Sequence, residues 1–450
     1  MAQYFTSVLC TLYIKPIYTL YTRHNKKMGR LTGMLFFLLV LFNTNEINAQ
    51  EKLKVALVSG AHSPSYEGNY SMRLFRDYLK ENDYPIEVVF ISSQEGTDAF
   101  LNLDKLEEVD AAVFNVRRKT PSAEDLAIFR EFFNSGKGFV AIRSTSHAWE
   151  NWPDFDQEVL GVSYNMTFHA DGQKSPSMEV INLYNHPVFT GVRDFSTDQY
   201  MYDIQDVADD VQIIMEGTVG ESTTPMAWTR TYKGGRVFRL VPGNLELFQD
   251  PNYLKMVANG LLWVAGRTIP GAQTQVQRTY MPGAHPGSFA VTFPQGPGIC
   301  FDPVRGGINY IWEGDFIDLR PRWLTKQGKP AKYYGEVFYS NELQKPIRTG
   351  SPDKESEYQF QGYRMVEGNP VFSYSVDGTL ISETVTPLEN AYGVKRHFRV
   401  EGKKPVWILS EPQKDSEITL AGAEKKGKHI HYNGKSDDFV VKIRKSEPSN

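Results

Sequence analysis

Cysteine is almost missing from this chain, which has two, Cys10 and Cys300. Cys10 lies in a stretch that reads as a removable leader, so the mature protein is expected to keep one thiol and no internal disulfide. Stability must then come from burial. Cys-x-x-Cys and His-x-x-x-His spacings are missing too, as is the Gly-x-Ser-x-Gly motif of serine hydrolases. No cofactor or metal is expected on these grounds. Three separated histidines, His62, His147 and His169, keep zinc open as an alternative.

The chain also lacks an excess of positive charge, with 49 Lys and Arg against 53 Asp and Glu. The first fifty residues hold five bases and one acid, leaving 44 bases, 52 acids and a formal charge of −8 beyond them. That balance predicts no nucleic-acid partner. The apolar run Met34–Phe42 has nine residues, well short of the roughly 20 that span a bilayer. Arg23, Lys26, Lys27 and Arg30 precede it and Ile47-Asn-Ala49 follows, so residues 1–50 read as an export signal cut before Gln50. Either Met1 or Met28 serves as its start. With no cysteine at the cut to carry a lipid, the mature form is expected without a membrane anchor, secreted or periplasmic.

Aromatics are plentiful: 24 Tyr, 27 Phe and 7 Trp. Such rings fill sandwich cores and also stack on sugar faces. At 450 residues two domains are expected, divided here as 51–267, a linker 268–286 rich in Pro and Gly, and 287–450. In the first, strands at 54–59, 86–90, 111–115 and 139–142 alternate with helical patterns, which predicts a parallel sheet covered on both faces. Thr120-Pro121 reads as the start of the second helix, and Asp250-Pro251 as that of a closing helix. Strands at 178–183 and 211–215 and a hairpin at 225–240, turned at Lys233-Gly234, complete the domain. From Gly287 onward short aromatic and β-branched runs follow one another with almost no helical period, including a hairpin at Asp377-Gly378. They predict an antiparallel β-sandwich.

The stretch Ser135–Trp149 organises the first domain. Its apolar run Phe139–Ile142 reads as a buried strand, and ligands in open α/β sheets bind beyond the carboxyl ends of strands. Arg143 is therefore a candidate clamp for a sugar or keto oxygen, with Ser144 and Ser146 beside it. His147 and His169 are candidate acid/base groups. His62 follows the first strand and is expected to line the same crevice, with Glu67, Asp171 and Tyr202 as further substrate contacts. Trp312, Asp315, Asp318 and Trp323 in the second domain combine rings with carboxylates, as sugar-binding surfaces do, although core packing explains the tryptophans equally well.

Gly60-Ala-His62, Gly136–Arg143, Leu160-Gly161 with His169, His186-Pro187, Pro225–Arg230, Gly234–Phe238 and Asn259–Trp263, in this order, resemble the ThuA-like family, named for trehalose utilisation. The resemblance covers about 53–267 and implies a flavodoxin-like α/β fold of the class I glutamine amidotransferase type. It implies handling of a small carbohydrate, a sugar or a keto-sugar glycoside. Family members often carry histidine where Arg143 stands and Gly-His where Gly243-Asn244 stands, which makes Asn244 a substrate-binding candidate. The elbow has no cysteine, so glutamine hydrolysis is excluded. The second domain resembles β-sandwiches found beside such domains, through Ile311–Leu319 and Arg322-Trp323. Two functions stand open: a sugar isomerase or hydrolase using acid/base chemistry, and a non-catalytic carbohydrate-binding or scaffold protein with a degenerate crevice. Homo-oligomerisation is left open.

Overall fold

The computed structural model describes residues 52–446 except 63–66, 169–177, 183–185, 295, 315–316, 324–327, 390 and 411–412. The export-signal region, His169, Asp171 and Asp315 lie outside the described residues. Twelve strands and three helices build the first region. The strands are β1 Leu53–Gly60, β2 Ile86–Ser93, β3 Phe100–Leu101, β4 Ala111–Val116, β5 Gly138–Ile142, β6 Ser163–Phe168, β7 Met178–Asn182, β8 Phe195–Thr197, β9 Met201–Gln205, β10 Gln212–Val219, β11 Ser222–Tyr232 and β12 Gly235–Leu240. The helices are α1 Gly68–Glu81, α2 Ala123–Asn134 and α3 Pro251–Val264.

Ten of the strands form one sheet in the order β3-β2-β1-β4-β5-β12-β11-β10-β7-β8. Its centre, β2-β1-β4-β5-β12, is parallel. Antiparallel strands flank it on both sides, β3 beyond β2 and the β12-β11-β10-β7 meander beyond β5. Alternation along β1 separates the two faces. Val55 and Leu57 pack with Met72, Phe75 and Leu79 of α1 and with α3. Ala56 and Val58 face Phe129 and Phe133 of α2. The expected flavodoxin-like sheet is thus present, with a larger antiparallel extension than a purely parallel reading gives.

Helix starts follow local chemistry. Asp250 caps α3 by accepting from the Asn252 amide at 2.9 Å, with Pro251 at the first position. The cap of α2 is Ser122, which accepts from the Asp125 amide at 3.1 Å. Thr120-Pro121 therefore precede the helix and do not open it. Lys233 and Gly234, at φ 49° and 85°, turn the β11–β12 hairpin, the left-handed pair that a two-residue turn of this kind requires.

The second region is antiparallel throughout its larger sheets. A six-stranded sheet runs Tyr358–Val366, Asn369–Val376, Thr379–Pro387, Gly393–Val400, Asp438–Lys445 and Ser416–Ala421. It shares a core with a five-stranded sheet, where Phe301 stacks on Phe372 at 3.9 Å between centroids. Gln275–Arg278, read above as linker, pairs with Phe289–Thr292 as the edge strand of the five-stranded sheet. Its alternation was hidden by the prolines and glycines around it. Trp312 is fully buried and Asp318 is 4% exposed, so neither offers the sugar-facing surface considered above. Trp312 packs with Tyr310 and Tyr333 instead. Both regions lie in one compact unit, Leu53–Asn450. Among the described residues no helix is long and apolar enough to cross a membrane.

Candidate functional site

At the end of β5 the chain turns at Arg143, whose φ is 48°. A bulky side chain in the left-handed region costs about 1–2 kcal/mol, so the surrounding contacts must hold it there. Arg239 of β12, fully buried, donates to the carbonyls of Ala141 at 3.0 Å and Leu240 at 2.6 Å and also to that of Arg143. Gly243 packs against Ile142 and Arg143, where a Cβ would collide with the Ile142 side chain. Thr145 Oγ1 donates to the Ile142 and Phe114 carbonyls at 2.7 and 3.0 Å, tying the turn back to β4 and β5.

The Arg143 guanidinium is 2% exposed. It donates to the Tyr200 carbonyl at 3.1 Å and lies over the Tyr202 ring, 4.3 Å from its centroid. His147, one short turn later, stacks on Tyr164 with centroids 4.6 Å apart and stands 6.3 Å from Tyr202. Its Nδ1 is 3.1 Å from Ser146 Oγ. Arg143, His147, Ser146 and Tyr202 are therefore together, joined by Tyr164, which sequence reasoning missed. Burial first, then the charges of Arg117, Arg118, Arg239 and Arg143, push the His147 pKa down to about 3. At neutral pH the imidazole is uncharged, an acceptor and not an acid.

His62 follows β1 and has a partner on β2. Its Nε2 is 2.9 Å from Ser93 Oγ at the end of β2. Burial and the Lys119 ammonium lower its pKa, and Glu95 opposes them. Glu67 is exposed and left-handed at the start of α1, with φ 41°. Asn244 accepts from Gln199 Nε2 at 2.9 Å, while Gln199 Oε1 accepts from the Gly243 amide at 3.0 Å. This links Asn244 to the elbow through Gln199, a residue with no distinguishing local pattern.

Polar side chains close the ends of three adjacent strands. Ser59 of β1, Asn115 of β4 and Ser144 after β5 are each 0% exposed. Among the described residues, Ser59 Oγ, Ser144 Oγ and both amide atoms of Asn115 have no hydrogen-bond partner. Ser59 and Asn115 are register partners and so share a face of the sheet. The start of α1 adjoins them, since a Cβ on Gly68 would lie 2.9 Å from Ser59 Oγ. Buried polar atoms are nearly always paired, with protein or with water, so these atoms are candidate contacts for a water or a ligand. The signal was present in the sequence, as a polar residue ending each apolar run, but hydroxyls and amides at strand ends are common. Among the described residues no three His, Cys, Asp or Glu side chains converge as metal ligands.

In open α/β sheets of this doubly wound kind, ligands bind beyond the carboxyl ends of the strands, where the Arg143 elbow lies. Residues 54–264 match the family model ThuA, described as trehalose utilisation, and this part of the chain is ThuA-like. No curated protein matches the chain. Among solved structures, a putative ThuA-like protein from Parabacteroides merdae is 16% identical, with a TM-score of 0.40, covering 49% of this chain and 93% of that one. Another, from Bacteroides uniformis, is 17% identical at a TM-score of 0.38, covering 47% and 91%. A Salmonella typhimurium cytoplasmic protein is 15% identical at 0.32, covering 47% and 97%.

Proposed function

We propose that this protein is exported and processes a small sugar or keto-sugar by proton transfer at the β5 elbow. The observation that carries this reading is the set of unpartnered, fully buried polar atoms of Ser59, Asn115 and Ser144 beside Arg143 and His147. Hydroxyl-rich ligands supply the donors and acceptors such atoms need. The ThuA family's description points to the same substrate class.

The chemistry that fits is a proton shift next to a carbonyl. Neutral His147 takes the proton from the hydroxyl-bearing carbon beside the keto group; the C–H pair becomes the C=C bond and the carbonyl π pair moves onto the oxygen. The resulting enediolate is held by a guanidinium, Arg143; the neighbouring hydroxyl proton passes to the enolate oxygen as His147 returns its proton to the former carbonyl carbon, which moves the carbonyl by one carbon. Alone, an imidazole with a pKa of about 3 is a feeble base. The negative oxygen that forms beside Arg143 offsets the cationic field responsible for part of that depression, so basicity rises as the reaction proceeds. No redox cofactor is required.

Incubation with glucosides and their 3-keto forms in heavy water tests this. Deuterium should enter the sugar with the wild type. Arg143→Lys keeps the charge but loses the planar fork, and the exchange rate should fall by about 10²-fold. Saturable binding without any exchange would replace the enzyme by the second reading, a carbohydrate-binding protein. The near-complete burial of Arg143, at 2% exposure, favours that alternative.

A further inference from the structure

A cavity of about 760 Å³ lies between the two regions, away from the elbow. Arg236, in its wall, opens β12, whereas Leu240 at the other end of β12 is level with Ile142, next to Arg143. Roughly 13 Å of strand separates the two ends. One wall of the cavity is made by Gln212, Arg236 and Trp263, the other by Lys332, Tyr334 and Glu336. The volume is within the range of small-molecule sites, about 300–1,000 Å³.

We infer that this cleft is a second carbohydrate site, taking a neutral oligosaccharide of about disaccharide size, independently of the elbow. Three observations carry the inference. Gln212 is 7% exposed, and its Oε1 accepts from Thr229 Oγ1 at 3.1 Å, yet among the described residues its Nε2 has no partner. A buried donor of this kind is conserved energy only if something accepts from it. The charges around the cleft cancel, four carboxylates against four cations. Asp210 is paired with Arg230 at 3.0 Å, and Glu313 with Lys445. A lining without net charge selects neither an anion nor a cation, but it offers donors and acceptors in equal measure to hydroxyls. Finally, Trp263, Tyr333, Tyr334 and Tyr392 line the cleft, and an aromatic lining of this kind suits the C–H faces of pyranose rings. The Tyr392 hydroxyl is fixed by the Gly314 amide at 3.1 Å and the Gly296 carbonyl at 3.2 Å, which sets that ring before any ligand arrives.

Calorimetric titration of the full chain with trehalose, maltose and cellobiose, alongside glucuronate and glucose 6-phosphate, tests the site. At least one neutral disaccharide should bind, and Arg143→Lys should leave that binding unchanged. Gln212→Met and Tyr334→Ala should each weaken it by about three- to tenfold or more in chains that still fold, as circular dichroism would check. If Gln212→Met does not fold, Glu336→Ala, at an exposed position, takes its place with the same expectation. Preference for the charged sugars overturns the inference, as does no binding by any neutral disaccharide at about 10 mM. Binding lost in Arg143→Lys yet unchanged in the cleft variants overturns it too, while leaving the elbow reading intact.

Discussion

At the residue scale, His147 has the clearest consequence. In the folded chain its pKa is depressed to about 3, against about 6.5 for an unfolded histidine. Between these values the unfolded chain binds a proton that the folded chain refuses. Stability at this position is therefore full above about pH 6.5 and falls as the pH drops toward 3, by at most about 1.4 kcal/mol per pH unit. Partial exposure of the ring makes the actual slope smaller. His147→Gln should flatten the decline in thermal midpoint between pH 6.5 and 4.5, which a pH series of melting curves would measure. A wild type and variant with parallel curves would show that the imidazole is not held neutral. Sequence reading selected Arg143 and His147 because they end a strand, and that is where they are. It gave no hint that Tyr164 and Tyr202 would surround them, because those contacts close over intervals that have no local pattern.

At the element scale, the elbow depends on the close approach of the loop after β12 to the end of β5. A Cβ on Gly243 would overlap the Ile142 side chain and lie 3.0 Å from Arg143 Cβ. Gly243→Ala should therefore push the elbow out of place, cutting exchange activity by about 10²-fold, the scale expected for roughly 1 Å of misplacement. A stability loss of about 1–3 kcal/mol should accompany it. Comparing exchange rates with chemical denaturation midpoints separates the two effects. The elements themselves were largely legible. Alternating apolar runs gave β1, β4 and β5, and Asp250-Pro251 gave the start of α3. The second helix starts later than Thr120-Pro121 suggests because Ser122 also caps, and only the backbone path decides between neighbouring candidates.

At the scale of the whole molecule, the second region rests on its own core and on one buried ion pair. Arg396 Nε lies 2.6 Å from Glu383 Oε1, and the Tyr374 hydroxyl donates to Glu383 Oε2 at 2.9 Å, with Glu383 fully buried. Arg396→Met strands the carboxylate and should cost about 3–5 kcal/mol, whereas Glu383→Leu with Arg396→Met should recover most of it. Guanidinium denaturation of the single and double variants would measure both. A single variant as stable as the wild type would overturn this account of the pair. The pair joins neighbouring strands Thr379–Pro387 and Gly393–Val400, and nothing in either strand's sequence announces it.

By itself the sequence determined the alternation of strands and helices in the first region, the strand-rich second region and the strand-end position of Arg143 and His147. These follow from hydrophobic period and turn chemistry, which act over a few neighbouring residues. Only the tertiary structure decided that His62 meets Ser93, that Trp312 is core, and that Gln275–Arg278 is a strand. The left-handed turn at Arg143 and the cleft around Gln212 also belong to the folded chain alone. Each depends on groups brought together across long stretches of sequence, where burial, and not local pattern, selects the partner.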